Sequence, residues 1–81
     1  MITIHILNFS LVRDALGQKY MDIDIPKGET VRYLLNTIKA MNKQRLLNLP
    51  IRVAVNQSYV DDNYKLCNDD IVALIPPVSG G

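Results

Sequence analysis

Two stretches near the start of the chain alternate between apolar and polar side chains, as a strand with one buried face does. Residues 2–7 place an isoleucine at every second position, and residues 21–25 alternate in the same way until Pro26 ends the run. Residues 9–16 have weak helical character, which stops at Gly17, and only residues 9–18 separate the two strands. Because this connection is short, we expect the two strands to pair antiparallel.

A helical pattern follows over residues 31–41. Apolar side chains recur there at helical spacing and form one stripe, made of Val31, Leu34, Leu35, Ile38 and Met41. Thr30 is a candidate N-cap after the Pro-Lys-Gly-Glu turn of residues 26–29. We expect the helix to end near residues 42–45 and residues 46–50 to form a loop that buries its leucines.

The pattern in the second half of the chain predicts two or three short strands. Residues 51–55 alternate, and residues 58–60 return after Asn56-Gln57, a tight-turn candidate because Asn tolerates positive φ. The last strand is Ile-Val-Ala-Leu-Ile at residues 71–75. It is apolar on both faces, which suits a central position in the sheet.

This order of elements predicts an α+β fold, a roll in which a mixed sheet packs on one long helix. Residues 61–70 are polar and irregular, with Leu66 as their anchor in the core. Pro76-Pro77 ends the hydrogen-bonded ladder. We therefore divide the chain into a domain of residues 1–75 and an extended tail of residues 76–81.

The composition is that of one small globular domain. The chain has 81 residues and a mass of 9.1 kDa, with 9 Lys and Arg against 8 Asp and Glu and a formal net charge of +1. This balance argues against nucleic-acid binding, which normally shows a basic stripe. No apolar run approaches the roughly 20 residues that span a bilayer, and the first residues lack the basic segment of a signal peptide. We expect a cytoplasmic protein whose partners are neither nucleic acid nor membrane.

The side chains offer no catalytic constellation. His5 is the only histidine, so no histidine pair can hold a metal, and we expect it on the polar face of its strand. The single Cys67 excludes an internal disulfide and has no visible activating base. Asp61-Asp62 and Asp69-Asp70 lack the spacing of a calcium loop and are expected to be solvated turn residues. The sequence predicts no metal site and no catalytic side chain.

The end of the sequence carries a reactive group of another kind. Gly80 and Gly81 have no Cβ, so they can thread a channel too narrow for other side chains. The α-carboxylate of Gly81 is an anion at neutral pH and a poor electrophile, so it reacts only after activation, for example by transfer of AMP from ATP. At about 3.3 Å each, residues 76–81 reach roughly 20 Å into a partner. The alternative is that Gly-Gly is a frayed end.

Several motifs together give the chain a family resemblance. They are Val53-Ala54-Val55-Asn56-Gln57 with the following Tyr59-Val60, the run from Asp70 to the ending Pro-Pro-Val-Ser-Gly-Gly, and Val12-Arg13-Asp14 followed by Gly17. With them, the whole chain resembles the small subunits of molybdopterin synthases, which are ubiquitin-like sulfur carriers with a β-grasp fold. The related sulfur carriers of thiazole formation also end in Gly-Gly. They usually lack the double proline, which favours the molybdopterin family.

The resemblance implies a cycle on the carboxylate of Gly81. A ubiquitin-activating-type adenylyltransferase adenylates it with ATP, and a sulfur donor protein converts it to a thiocarboxylate. The large subunit of molybdopterin synthase then accepts the tail, and the sulfur passes to cyclic pyranopterin monophosphate. Two transfers build the dithiolene that holds molybdenum. The family assembles as a heterotetramer of two small and two large subunits, and the small subunit holds no permanent cofactor.

The resemblance also implies which residues meet the partners. The docking and tail residues carried over by position are Phe9, Arg13, Tyr59, Ile75, Pro76, Pro77, Val78 and Ser79, ahead of the reactive Gly80 and Gly81. Ile75 fits on its own: if Val72 and Leu74 face the helix, Ile75 points away from it, and an outward apolar patch on a small domain indicates a partner. The sequence departs from the family pattern in two places. Asp69 stands where relatives generally have glycine, and Leu74-Ile75 replaces a pair that is often aromatic.

Three other functions share parts of this pattern. A sulfur carrier for thiazole synthesis uses the same activation. A ubiquitin-like modifier also activates Gly81 but joins it to a lysine of another protein through an isopeptide bond. A plain binding module has an inert tail and keeps its function without Gly80-Gly81. For the carrier, we expect residues 78–81 to lack order until a partner binds.

Overall fold

The computed structural model describes residues 1–77. Across these residues the chain forms, in order, β1 (Ile2–Asn8), α1 (Ser10–Leu16), β2 (Tyr20–Ile25), α2 (Val31–Met41), α3 (Lys43–Leu46), β3 (Arg52–Val55), β4 (Ser58–Val60) and β5 (Ile71–Ile75). The strands make one sheet in the order β2-β1-β5-β3-β4. β5 pairs parallel with β1 and antiparallel with β3. The predicted α+β roll and the central place of the last strand are confirmed.

The first two strands pair as their alternation predicts. β1 and β2 are antiparallel, with Ile4 opposite Ile23, and Ile4 and Ile6 turn inward and are buried. The connecting α1 ends at Gly17, which has a φ of 72° and donates its N–H to the Arg13 carbonyl at 2.8 Å. That left-handed conformation has no steric cost for a residue without Cβ.

The long helix α2 packs its apolar stripe against the sheet. The buried residues of that stripe are Val31, Leu34, Leu35 and Ile38. Thr30 is the N-cap, with its hydroxyl accepting from the Tyr33 N–H at 3.5 Å. The prediction that Met41 belongs to the buried stripe is wrong, because its side chain is 49% exposed. At 3.6 residues per turn, Met41 lies roughly 70° from the centre of the four buried positions.

The chain after α2 differs from the predicted loop. A short helix, α3, contains Leu46, which is fully buried, whereas Leu47 is 57% exposed. Asn42 caps this helix by accepting from the Arg45 N–H at 3.3 Å, and its amide donates to the Ala15 carbonyl at 2.9 Å. α3 is therefore tied to the end of α1, and only part of the predicted loop buries its leucines.

The hairpin between β3 and β4 has the predicted tight turn. Asn56 and Gln57 both have positive φ, 50° and 73°. Two consecutive residues with positive φ match the right-handed twist of the flanking strands.

In the segment between β4 and β5, Leu66 is buried in the core as predicted. Asp69, at the position where the resemblance places a glycine, has a φ of 67°.

The prediction that Asp70 is a solvated turn residue is wrong. Its side chain is only 7% exposed. Its carboxylate accepts from the Asn56 amide at 3.0 Å and from the Cys67 N–H at 2.8 Å. Asn56 in turn accepts from the Ile71 N–H at 3.0 Å. Burial is possible because these donors replace water, and the result is a polar clamp between the β3–β4 turn and the start of β5.

The core fills the space between one face of the sheet and the helices. Its fully buried members from the sheet are Ile4, Ile6, Ile25, Val72 and Leu74, and from the helices Val12, Val31, Leu34, Ile38 and Leu46. Within residues 1–77, no helix combines the length and the apolar character needed to cross a membrane.

Candidate functional site

The face of the sheet turned away from α2 carries an apolar depression of about 520 Å³. We call it the outer-face depression. Its apolar lining comes from four strands and the residue after β1: Leu7, Phe9, Ala54, Tyr59, Ile71, Ala73 and Ile75. The site is thus built on the sheet itself, around its central strand β5.

Alternate side chains of β5 point to opposite faces of the sheet, so this strand contributes to both the core and the depression. Val72 and Leu74 are fully buried on the inner side. On the outer side, Ile71 is 51% exposed and Ile75 is partly exposed. The predicted outward direction of Ile75 is confirmed. Contiguous apolar side chains left in water on a small domain indicate an interaction surface.

The depression exists because two small side chains face each other across the central strands. Ala54 of β3 is directly opposite Ala73 of β5 in the ladder. Larger side chains surround them, among them Tyr59 of β4, which is 59% exposed, and Phe9 between β1 and α1. Phe9 is held by its N–H, which donates to the Leu74 carbonyl at 3.3 Å. Alanines therefore form the floor, and aromatic rings form part of the wall.

The polar rim of the depression is fixed by the clamp described above. Asn56 and Gln57 of the β3–β4 turn line this side. Asn56 also donates its backbone N–H to the Ile71 carbonyl at 2.8 Å. With the Asp70 carboxylate holding the Asn56 amide, the turn cannot swing away from β5 without breaking several hydrogen bonds.

The chain leaves the sheet beside the depression. Ile75 forms the last pair of the β3–β5 ladder, opposite Arg52. Pro76 is buried and Pro77 is exposed, and neither can extend the ladder because proline has no N–H. The predicted tail residues Val78 and Ser79 and the predicted reactive Gly80 and Gly81 lie outside the described residues, as does the prediction about their order.

Three of the docking residues predicted from the sequence line this depression, and several other lining residues were not predicted. Phe9, Tyr59 and Ile75 all line it. Arg13 lies in α1 with an exposed side chain and is not among the lining residues. Leu7, Ala54, Ile71 and Ala73 were missed as site residues. The available signal was parity: Leu7 continues the polar face of β1 with an apolar side chain, and Ile71 and Ala73 share the face of Ile75.

A second depression, of about 440 Å³, adjoins the first and shares Leu7 and Ile71 with it. His5 lies there on the polar face of β1, as predicted. Its Nδ1 is 2.8 Å from Asp22 Oδ1, and its Nε2 is 3.0 Å from Asp69 Oδ1. Hydrogen bonds to these carboxylates, Asp22 first, raise the pKa of His5 above 6.5. The cause is that the charged imidazolium can donate to both oxygens at once.

Among residues 1–77, no group of three or more His, Cys, Asp or Glu side chains could hold a metal ion. Cys67 is free and exposed. What the described arrangement offers is an apolar surface for another protein, beside the point where the chain leaves the sheet.

Comparison with known proteins shows the family and the fold of the chain. The ThiS family model matches residues 6–81. A molybdopterin synthase sulfur carrier subunit from Dictyostelium discoideum is 36% identical over 80 residues, which cover 94% of this chain and 93% of the relative.

Two solved structures share the architecture. A putative molybdopterin converting factor subunit 1 from Pyrococcus furiosus superposes with a TM-score of 0.87 at 25% identity, covering 96% of this chain and 100% of that chain. A chain in the complex of subunits 1 and 2 of the molybdopterin-converting factor from Helicobacter pylori has a TM-score of 0.63 at 21% identity. That match covers 99% of this chain and 100% of the other. The predicted ubiquitin-like β-grasp fold is confirmed.

Proposed function

Because the chain belongs to the ThiS family, we propose that it is the sulfur carrier subunit of a molybdopterin synthase. The relative from Dictyostelium discoideum carries that name at 36% identity over nearly its whole length. The observation that carries the proposal is structural: the chain leaves the central strand β5 at Ile75, on the rim of the outer-face depression. Docking through that depression therefore aims the following residues at the partner.

The reactive group of the carrier is the carboxylate of Gly81, and the family match extends to that residue. A carboxylate with a pKa of about 3.3–3.7 is ionised at neutral pH and resists attack by a sulfur nucleophile. An adenylyltransferase of the ubiquitin-activating type removes this barrier. A carboxylate oxygen attacks the α-phosphorus of ATP, pyrophosphate leaves, and an acyl-adenylate forms. The persulfide sulfur of a sulfur donor protein then attacks the acyl carbon and displaces AMP, which leaves the donor joined to Gly81 through an acyl disulfide. A second thiol attacks the donor's sulfur in that disulfide, so the donor leaves as a mixed disulfide and the thiocarboxylate is released.

The resulting thiocarboxylate is the form that acts on the pterin. Its sulfur is ionised at neutral pH and attacks a side-chain carbon of cyclic pyranopterin monophosphate, so that a C–S bond forms as the bond from that carbon to oxygen breaks. Hydrolysis of the bond between that sulfur and the acyl carbon then leaves sulfur on the pterin and restores the carboxylate of Gly81. Two loaded carriers complete one dithiolene. ATP is consumed by the activating enzyme, and this chain holds no permanent cofactor.

The contribution of this chain is docking and reach. Phe9, Tyr59 and Ile75 contact the large subunit through the outer-face depression, and Arg13 stays a predicted contact of the same partner. Beyond Pro77, the remaining four residues extend up to about 13 Å, enough to enter an active site beneath a docked surface. The Helicobacter pylori structure, a complex of subunits 1 and 2, supports a partner of this kind.

Mass spectrometry of the chain after incubation with ATP, its activating enzyme and a persulfide sulfur source tests the carrier function. We expect the mass to rise by the exchange of one oxygen for sulfur, located at Gly81. A chain ending at Gly80 is the matched control and gains no sulfur. An unchanged mass with a proven activating enzyme contradicts the proposal and favours an inert tail. Conjugates in which the acyl carbon of Gly81 is joined to a lysine amine favour a protein modifier.

A further inference from the structure

Arg52 lies beside the point where the chain leaves the sheet. It is the first residue of β3 and pairs with Ile75, the last residue of β5. Val53 and Val55 point into the core, so Arg52 and Ala54 share the outer face. The Arg52 side chain is exposed. It is not a lining residue of the outer-face depression but lies over Tyr59, which is one.

The guanidinium of Arg52 is held against an aromatic wall of the depression. Its Cζ is 4.1 Å from the centroid of the Tyr59 ring. Stacking of this kind uses the flat face of the guanidinium and leaves its N–H edge free to donate. The ion pairs within residues 1–77 are His5–Asp22, His5–Asp69 and Arg32–Asp62, so no carboxylate of this part of the chain neutralises Arg52.

Docking of a partner changes the solvation free energy of the Arg52 guanidinium. A partner seated on the depression removes water from Arg52, and a desolvated cation without an anion opposes binding. A carboxylate at that place reverses the effect, because it accepts two parallel N–H bonds from the guanidinium fork. The outer face therefore discriminates between apolar surfaces with and without an acidic side chain.

We propose that Arg52, oriented by Tyr59, is a specificity-determining residue that admits a partner supplying an Asp or Glu side chain beside the tail. The inference rests on the proposed function, since it takes the large subunit as that partner. Tyr59 matters as a positioning residue because the ring fixes the plane of the guanidinium before the partner arrives. The side chain of Arg52 then loses less conformational entropy on binding.

The affinity of four chains for the molybdopterin synthase large subunit of the same genome tests this role. They are the wild type, Arg52→Met, Tyr59→Leu and the double variant, measured by titration calorimetry at low and high salt. We expect Arg52→Met to weaken binding by about tenfold or more and to reduce its salt dependence. Tyr59→Leu weakens binding less, and the double variant loses less than the product of the single losses, because both act on one contact.

Arg32→Met is the matched control. Arg32 is an exposed arginine of α2, outside the depression and within 3.9 Å of Asp62, so its substitution leaves the affinity unchanged. Thermal unfolding of each variant confirms that it is folded. If Arg52→Met binds as tightly as the wild type or more tightly, the role of Arg52 is overturned while the proposed function stands. If the wild type itself does not bind, the proposed function fails, and this inference fails with it.

Discussion

At the scale of single residues, His5 lies between two carboxylates on the outer face of β1, Asp22 on β2 and Asp69 in the turn before β5. Both ring nitrogens are within hydrogen-bond distance of an oxygen. A neutral imidazole has one N–H and can satisfy only one of these contacts, whereas the imidazolium satisfies both. The hydrogen bond to Asp22, then that to Asp69, raises the pKa of His5 above 6.5.

This arrangement predicts how stability depends on pH. Since the folded pKa exceeds the unfolded value, the native state binds more protons, and the contribution of His5 is complete below pH 6.5. It is lost as the pH rises through the folded pKa. Urea unfolding between about pH 6 and about pH 8 should therefore give a falling free energy for the wild type and a flatter one for His5→Gln. Identical pH slopes for the two chains would contradict the assignment.

Asp70 gives a second prediction at this scale. Its buried carboxylate accepts from the Asn56 amide and the Cys67 N–H. Asp70→Asn sets an amide group against one of those donors, so we expect a loss of about 1–3 kcal/mol in the free energy of unfolding. Asp14→Asn, at an exposed position of α1, is the control and should change it little. Denaturant titration at neutral pH measures both, and equal stability of the two variants would show that the clamp contributes nothing.

At the scale of elements, the β3–β4 turn carries a local cost. Gln57 has a φ of 73° and an exposed side chain. A glycine adopts this conformation without a Cβ clash, so Gln57→Gly should raise the free energy of unfolding by about 0.5–1 kcal/mol. Chemical denaturation tests the sign. A destabilised variant would mean that the Gln57 side chain makes a contact that outweighs the strain.

Most elements could be predicted from local patterns. The alternation of β1 and β2 fixed their inward faces, and Pro26 ended β2 because proline cannot extend a ladder. The double apolar character of β5 predicted its central place. Asn56 predicted the positive φ of the tight turn. These signals are reliable because each depends on a residue and its near neighbours.

Features that depend on distant contacts were not predictable. α3 has only four residues, too few for a periodic signal, and its cap Asn42 bonds to Ala15 of α1. Asp70 is buried because Asn56, from another hairpin, supplies a donor. The floor of the depression needed the register that sets Ala54 opposite Ala73. These contacts depend on the strand order and the register of the sheet, and neither can be derived from local patterns in a single sequence.

At the scale of the whole molecule, the two faces of the sheet differ in what covers them. The inner face packs on the helices and holds the fold together. The outer face keeps two alanines opposite each other, which leaves the depression that we propose as the docking surface. The central strand β5 contributes side chains to both faces, and the chain leaves the sheet at its last residue, Ile75. The fold thus sets the proposed docking surface beside the point where the chain leaves the sheet.

Filling the depression should separate these roles. Ala73→Met adds a side chain on the outer face, where it clashes with the docked partner but not with the core. We expect binding to the large subunit to weaken about tenfold, with little change in unfolding. Ala40→Met, at an exposed position of α2, is the control and should bind normally. Undiminished binding by a folded Ala73→Met chain would place the docking surface elsewhere.

The central claim, that this chain delivers sulfur from its own end to a pterin, is tested most directly by one single-turnover assay. The chain carrying a Gly81 thiocarboxylate is mixed with the large subunit and cyclic pyranopterin monophosphate. We predict formation of the dithiolene pterin and return of the chain to its carboxylate form. The unmodified chain and a chain ending at Gly80 give no product. No dithiolene from a verified thiocarboxylate in a verified complex would contradict the account and direct the search to another sulfur acceptor, thiazole synthesis first.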